Sequence, residues 1–245
     1  MPVRLDQLLV ARGLFDSRAQ AKAAIAAGRV TVDGAVADKP SRLVAEGVVI
    51  EAQAAHPWVG RGALKLLAAL DLWPIAVAER TVLDVGASTG GFTEVCLERG
   101  ARRVFAVDVG SGQLHPRLAA DARVTSLERT DARDLTPDLI PEPPQLIVCD
   151  ASFIGLAKVL PAALSLAPPG ADMVTLVKPQ FEAEGPEGVG KGGLVKDADQ
   201  REAALARVAD WLAGSGWTAQ ASAESPITGG DGNVEFLLWA RRGGQ

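Results

Sequence analysis

Apolar and polar positions in the first 56 residues recur first at helical spacing and then in alternation. In RLDQLLVARG, Leu5, Leu8 and Leu9 fall on one face, and the pattern stops at Gly13. The run SRAQAKAAIAAG opens on Ser17, whose hydroxyl suits a helix start, and closes at Gly28, so a second short, alanine-rich helix is predicted. From Arg29 the pattern turns to β-branched alternation around Asp33-Gly34, a dipeptide that tolerates the positive φ of a tight hairpin turn. A small α+β unit over residues 1–56 is the expectation.

After a short linker at 57–61 the period changes. GRGALKLLAALDLW reads as an amphipathic helix, and strands then alternate with helices through residues 62–245. Strands are predicted at 81–86, 103–109, 124–127, 145–151, 173–178, 218–223 and 234–240, and helices at 93–99, 154–166 and 199–213. Seven strands in this rhythm describe an α/β, Rossmann-like doubly wound sheet with mostly parallel strands, whose ligands sit at the carboxyl ends of the strands. EAEGPEGVGKGG, residues 182–193, is the glycine-rich stretch long enough for a mobile loop.

Composition adds constraints. At 245 residues, with 48% hydrophobic and 22% charged positions, the chain can bury a substantial core. Cys96 and Cys149 lie far apart in apolar runs, which argues against a disulfide framework or zinc cluster and suits a reducing cytoplasm. No signal peptide and no membrane span are expected, since prolines cut short the nearest apolar run, VLPAALSLAPP. A net charge of −5 argues against indiscriminate coating of nucleic acid, while leaving room for a local basic face.

The stretch LDVGASTGGFTE joins a strand to a helix through a glycine-rich bend. A phosphate-cradling loop needs Lys then Ser or Thr after its last glycine, and Gly91 is followed by Phe92. A dinucleotide fingerprint needs glycine where Ser88 stands, which weakens that reading without eliminating it. Asp84 inside the strand, the loop Gly86, Ala87, Ser88, Thr89, Gly90, Gly91 and Phe92, and Asp108 closing the next strand suit a ligand with a ribose and no phosphates, as S-adenosylmethionine is. A tight turn with no ligand is the structural alternative. Asp131, after the third strand, suits either an adenine amino group or a helix cap.

Lys65, Asp150, Lys178 and Glu235 each interrupt an apolar run, so they are expected to be paired, as a structural ion network or as chemistry at strand ends. Taken with RLDQLLVARGLFDSRAQAKAAIAAGRV, RGALKL, VCDASFIGL, LVKPQFE and GNVEFLLW, these residues make the chain resemble the TlyA (hemolysin A) family of ribosomal RNA ribose 2′-O-methyltransferases. That resemblance implies an N-terminal S4-type RNA-binding domain and an FtsJ-like catalytic domain. It also implies a Lys-Asp-Lys-Glu catalytic tetrad at Lys65, Asp150, Lys178 and Glu235, with a cytidine as the expected target.

Transfer of a sulfonium methyl requires the ribose hydroxyl in line with the methyl carbon as its proton departs. A neutral lysine base near pH 7 requires roughly 4.6 kcal/mol of environmental perturbation, which burial has to supply in a formally neutral tetrad. The milder expectation has Lys178 charged, stabilising the developing alkoxide, with Asp150 orienting it. For RNA contact the candidates are Arg4, Arg18, Lys22 and Arg29 around the two N-terminal helices, Lys191 and Lys196 in the glycine-rich loop, and Phe153 for stacking on a base drawn from its helix. Residues 1–56 hold seven Lys or Arg against six Asp or Glu, so a basic face must arise by segregation. Ordinary surface cations and a core phenylalanine are the alternatives.

The chain departs from the family pattern at Ser111, where an aromatic is common, at Asp131, where asparagine is usual, and in the neighbours of Trp58. Its ends look shorter than in the long members, and the short form implies large-subunit RNA. A non-catalytic ribosome-assembly module and a membrane-active haemolysin are the rivals: retention of all four tetrad residues opposes the first, and the lack of an apolar span opposes the second.

Overall fold

The structure of the chain, a computed structural model, describes residues 2–15, 17–182 and 193–244. Its contacts divide into two compact units, Met1–Trp58 and Val59–Gln245.

The first unit contains β1 (Val3–Arg4), α1 (Leu5–Ala11), α2 (Arg18–Ala26), β2 (Val30–Val32), β3 (Ala35–Val36), β4 (Leu43–Val44) and β5 (Ile50–Ala52). The Ser17 hydroxyl accepts from the Gln20 N–H at 3.3 Å, capping α2. Asp33 and Gly34, both at positive φ, turn β2 into β3, and β2 pairs antiparallel with β3 and β5. Leu5, Leu8, Leu9, Ile25, Val30 and Val32 form its core. The carboxylate of Asp6 is buried among them. It is held by Arg4 at 3.0 Å and Arg18 at 2.8 Å, and the hydrogen bond from Arg4, with help from Arg18, brings it down to about 2 against the cost of burial.

The second unit runs α3 (Ala63–Leu72), β6 (Thr81–Val85), α4 (Gly91–Glu98), β7 (Arg103–Asp108), α5 (Pro116–Ala119), β8 (Val124–Glu128), a 3₁₀ turn (Ala132–Asp134) and β9 (Leu146–Cys149). It continues with α6 (Leu156–Val159), α7 (Pro161–Leu166), β10 (Asp172–Val177), α8 (Pro179–Glu182), α9 (Ala198–Gly214), β11 (Trp217–Glu224) and β12 (Phe236–Arg242). The sheet order is β11-β12-β10-β9-β6-β7-β8. Five neighbours from β10 to β8 are parallel, and β12 is antiparallel to both β10 and β11. Every residue of β6, β9 and β10 is buried, as expected where helices cover both faces of a sheet.

The chain winds from β6 outward to β8, then returns to β9 on the other side of β6, so the crevice lies where β6 and β9 diverge. The single helix expected over 154–166 is instead two short helices, because Pro161 cannot donate into a continuing helix and starts α7. Glu235 lies one residue before β12, and the register pairs Phe236 with Val177. An antiparallel strand thereby starts at the edge where the parallel strands end.

Candidate active site

Four charged residues converge on that edge from four elements. Lys65 projects from α3, Asp150 follows β9, Lys178 follows β10 and Glu235 precedes β12. Lys65 Nζ lies 2.6 Å from Glu235 Oε2 and 3.4 Å from Asp150 Oδ2. Lys178 Nζ lies 2.7 Å from Asp150 Oδ1. Lys65, Lys178 and Glu235 are buried while Asp150 is partly open, so the group is a closed, charge-balanced network with one exposed face. Two more acceptors complete the surroundings of Lys178 Nζ: the Asp150 carbonyl at 3.0 Å and the Ser152 hydroxyl at 2.7 Å. The three protons of its ammonium thus meet three oxygens.

Beside the network lies a cavity of about 450 Å³ whose lining includes Gly86, Ser88, Asp108, Asp131, Asp150 and Phe153. A smaller chamber of about 220 Å³ is lined by the Gly60–Gly62 turn, Ala87, Thr89, Gly91 and Phe92. Gly86, Ser88, Asp150 and Ser152 line both, so Asp150, the open member of the network, sits where the two spaces meet, with Lys65, Lys178 and Glu235 behind it.

The bend itself depends on Gly86. Its φ is +81°, and a Cβ there would stand 2.9 Å from Ala151 Cα. Ser88, at φ 47°, is held in an uncommon backbone conformation by donation of its N–H to Asp108 Oδ2 at 2.8 Å, while Gly110 N–H donates to Oδ1 at 2.7 Å. Each Asp108 oxygen keeps an acceptor site for a ribose hydroxyl. The loop beyond is ordered by Glu128, whose carboxylate accepts from the N–H groups of Gly112, Gln113 and Leu114 at 2.7, 2.8 and 3.3 Å. These backbone donors, led by Gly112, hold the Glu128 carboxyl below its ordinary range. Together with the apolar walls of Val107, Val109, Ala132 and Ile154, the acids and the open loop fit a nucleoside lacking phosphates, as S-adenosylmethionine requires.

Asp84 and Gly90 line neither space. Gly90 starts α4 at φ +95°, facing Leu114 and Leu118. The carboxyl of Asp84 is buried under the bend, with Oδ2 accepting from Thr93 Oγ1 at 2.7 Å and Oδ1 without a protein partner among the described residues. Burial pushes it up to about 7, opposed by Thr93 and assisted by the charge of Asp150. Asp131 caps the 3₁₀ turn by accepting from the Arg133 N–H at 3.0 Å and faces the large cavity, and the Arg133 guanidinium at 2.6 Å holds it at about 2.

Phe153 is 91% exposed at φ 66°, with its ring centroid 5.4 Å from that of Phe181. That excludes the core alternative, and a bulky residue at positive φ marks strain maintained by its surroundings. Lys22, Arg29 and Lys196 are exposed. Arg4 and Arg18 share Asp6, so any contact they make with RNA comes from guanidinium groups already fixed by an ion pair. Lys191 lies outside the described residues. Sequence reasoning missed Ser152, Gln113 and Glu128, none of which belongs to a glycine bend or interrupts an apolar run with a charge that demands a partner.

Comparison with known proteins identifies the family. Residues 58–242 match the FtsJ-like methyltransferase family and residues 3–50 match the S4 domain. The 16S/23S rRNA (cytidine-2′-O)-methyltransferase TlyA of Mycobacterium tuberculosis is 49% identical over 97% of this chain and 89% of its own. Hemolysin A of Brachyspira hyodysenteriae is 37% identical over 96% of this chain and 98% of its own. A solved structure, described as that of a candidate hemolysin from Streptococcus thermophilus, superposes with a TM-score of 0.79 at 39% identity, covering 99% of this chain and 89% of that one. By sequence, domain content and fold, the chain belongs to the TlyA family of FtsJ-like methyltransferases.

Proposed function

We propose that the protein transfers a methyl group from S-adenosylmethionine to a ribose 2′-hydroxyl of ribosomal RNA, with a cytidine of the large subunit as the target. The observation that carries the proposal is the Lys65-Asp150-Lys178-Glu235 network, which reaches the junction of two cavities through Asp150. The cofactor supplies an electrophilic methyl on sulfonium. Asp108, Asp131 and the bend at Gly86 and Ser88 hold its nucleoside in the larger cavity. Bound there, the cofactor would supply its methyl to the ribose O2′ and leave as S-adenosylhomocysteine, while the hydroxyl proton passes to water.

Lys178, with its ammonium surrounded by three oxygens, acts as a cation facing the developing alkoxide rather than as a neutral base. Asp150 fixes its direction, and Lys65 and Glu235 hold Asp150 in place and keep the site's charge balanced. Residues 1–56, with Arg4, Arg18, Lys22 and Arg29, contact the RNA backbone, Lys191 and Lys196 add phosphate contacts, and Phe153 stacks on the extruded base. The setting is the cytoplasm, where the ribosome is. Among the described residues, no helix is long and apolar enough to cross a membrane, which gives the haemolysin rival no structural support.

The test is incubation with labelled S-adenosylmethionine and separately purified large and small subunits from a host lacking the enzyme, with Lys178→Ala as control. Label at one alkali-resistant position of large-subunit RNA, absent with the control, is expected. No label on either subunit despite cofactor binding would sink the ribosomal assignment. The rate at saturating substrates stays within about twofold from pH 8 to 6 if Lys178 works as a cation, and a steep fall would restore the neutral-base alternative.

A further inference from the structure

Lys178 has three protons on Nζ, and all three meet acceptors of the chain itself: Asp150 Oδ1, the Asp150 carbonyl and Ser152 Oγ. On the reading above, one of these bonds must open before the ammonium can face a ribose oxygen. The three are not equally replaceable. The carbonyl is backbone, fixed where the Asp150 N–H donates to the Val85 carbonyl at 3.2 Å. Asp150 Oδ1 is an anion at 2.7 Å from a buried cation, and charge-assisted bonds of this kind are the stronger ones. Ser152 is neutral, exposed, free to rotate about one bond and part of the lining of both cavities.

We infer that Ser152 is a placeholder that competes with the substrate for Lys178, its hydroxyl occupying the place of the substrate's 2′-hydroxyl until RNA binds. When RNA binds, the ribose oxygen replaces one neutral hydroxyl acceptor with another.

The inference rests on the methyl-transfer reading, and its test separates the two. Turnover of large subunits is measured for the wild type, Ser152→Ala and Ser152→Asp at saturating S-adenosylmethionine, with S-adenosylhomocysteine affinity as a control for folding. Removing the competing acceptor is expected to raise kcat/KM for the subunit about two- to tenfold. An aspartate, an anion that is not given up, is expected to lower it more than a hundredfold. An unchanged or lower kcat/KM with Ser152→Ala, at unchanged S-adenosylhomocysteine affinity, overturns the inference. If the wild type labels neither subunit, the methylation reading fails and the Ser152 contact is tested separately by ¹⁵N NMR of the Lys178 ammonium. Proton exchange severalfold faster in Ser152→Ala supports the contact, and unchanged exchange overturns it.

Discussion

Replacing Lys65 by methionine removes one charge from the network while keeping most of the stem. Lys65 and Glu235 side chains are 8% and 3% exposed and their charges lie 2.6 Å apart, so the variant leaves a buried carboxylate without its nearest cation. Breaking a buried pair on one side costs about 3–5 kcal/mol, whereas replacing both partners by apolar groups is often close to neutral. For a domain of roughly 190 residues, at about 2–4 °C per kcal/mol, the single variant should lose about 6–20 °C in Tm. Lys65→Met/Glu235→Leu should recover most of that loss. Thermal unfolding of the wild type, both single variants and the double variant, followed by circular dichroism, measures the coupling. A loss below about 2 °C for Lys65→Met, or a double variant no more stable than the worse single one, would refute the argument. Methyl transfer should be lost in all three variants, because recovered stability does not restore the support of Asp150.

Other expectations follow from single residues. Gly86→Ala places a Cβ 2.9 Å from Ala151 Cα at φ +81°, so it should cost about 1–3 kcal/mol in backbone strain alone, and isothermal titration should show S-adenosylhomocysteine affinity at least tenfold weaker. Asp84, raised to about 7, binds its proton more tightly folded than unfolded, so its contribution to stability falls as pH rises from about 4 through 7. Asp84→Asn should flatten that fall in urea midpoints taken at pH 5 and 8, and parallel pH dependences would contradict it. Asp6, lowered to about 2, contributes stability that is present above about pH 4 and lost as pH falls towards 2. Protection factors of the Leu8 and Leu9 amides, which remove the pH dependence of intrinsic exchange, should fall on acidification in the wild type and show no such step in Asp6→Asn. Phe153→Ala should leave Tm within about 1 °C, since the ring is 91% exposed, yet raise KM for the subunit about tenfold, and an unchanged KM would remove the stacking role.

Much of the architecture was readable because it rests on local rules. Asp33-Gly34 adopts the turn that its φ tolerance permits, Ser17 caps α2, and the mostly apolar runs of β6, β9 and β10 are the strands buried on both faces. The tetrad was readable because a charge inside an apolar run demands a partner, although the direction of β12, which brings Glu235 to Lys65, comes from pairing that no local pattern carries. Asp84 was read as facing the ligand because its place in the bend is visible and its side-chain direction is not. Packing against Thr93 turns it inward. Ser152 and Glu128 gave no signal, since their roles depend on a Lys178 ammonium and on three backbone N–H groups that meet them only after folding.

The spacing of the tetrad along the chain has a consequence for how activity arises. Lys65 meets Asp150 across 85 positions and Glu235 across 170, the latter only through a strand inserted between β10 and β11. Contacts of such separation close late, after the loop entropy between them has been overcome. No local fragment of the catalytic unit can therefore hold the four charges together, and a partly folded chain with β6, β7 and β8 in place would offer a nucleoside pocket with no chemistry attached. Recovery of methyl transfer after dilution from denaturant thus reports the final closure of the sheet, while cofactor affinity reports an earlier stage of the same ascent.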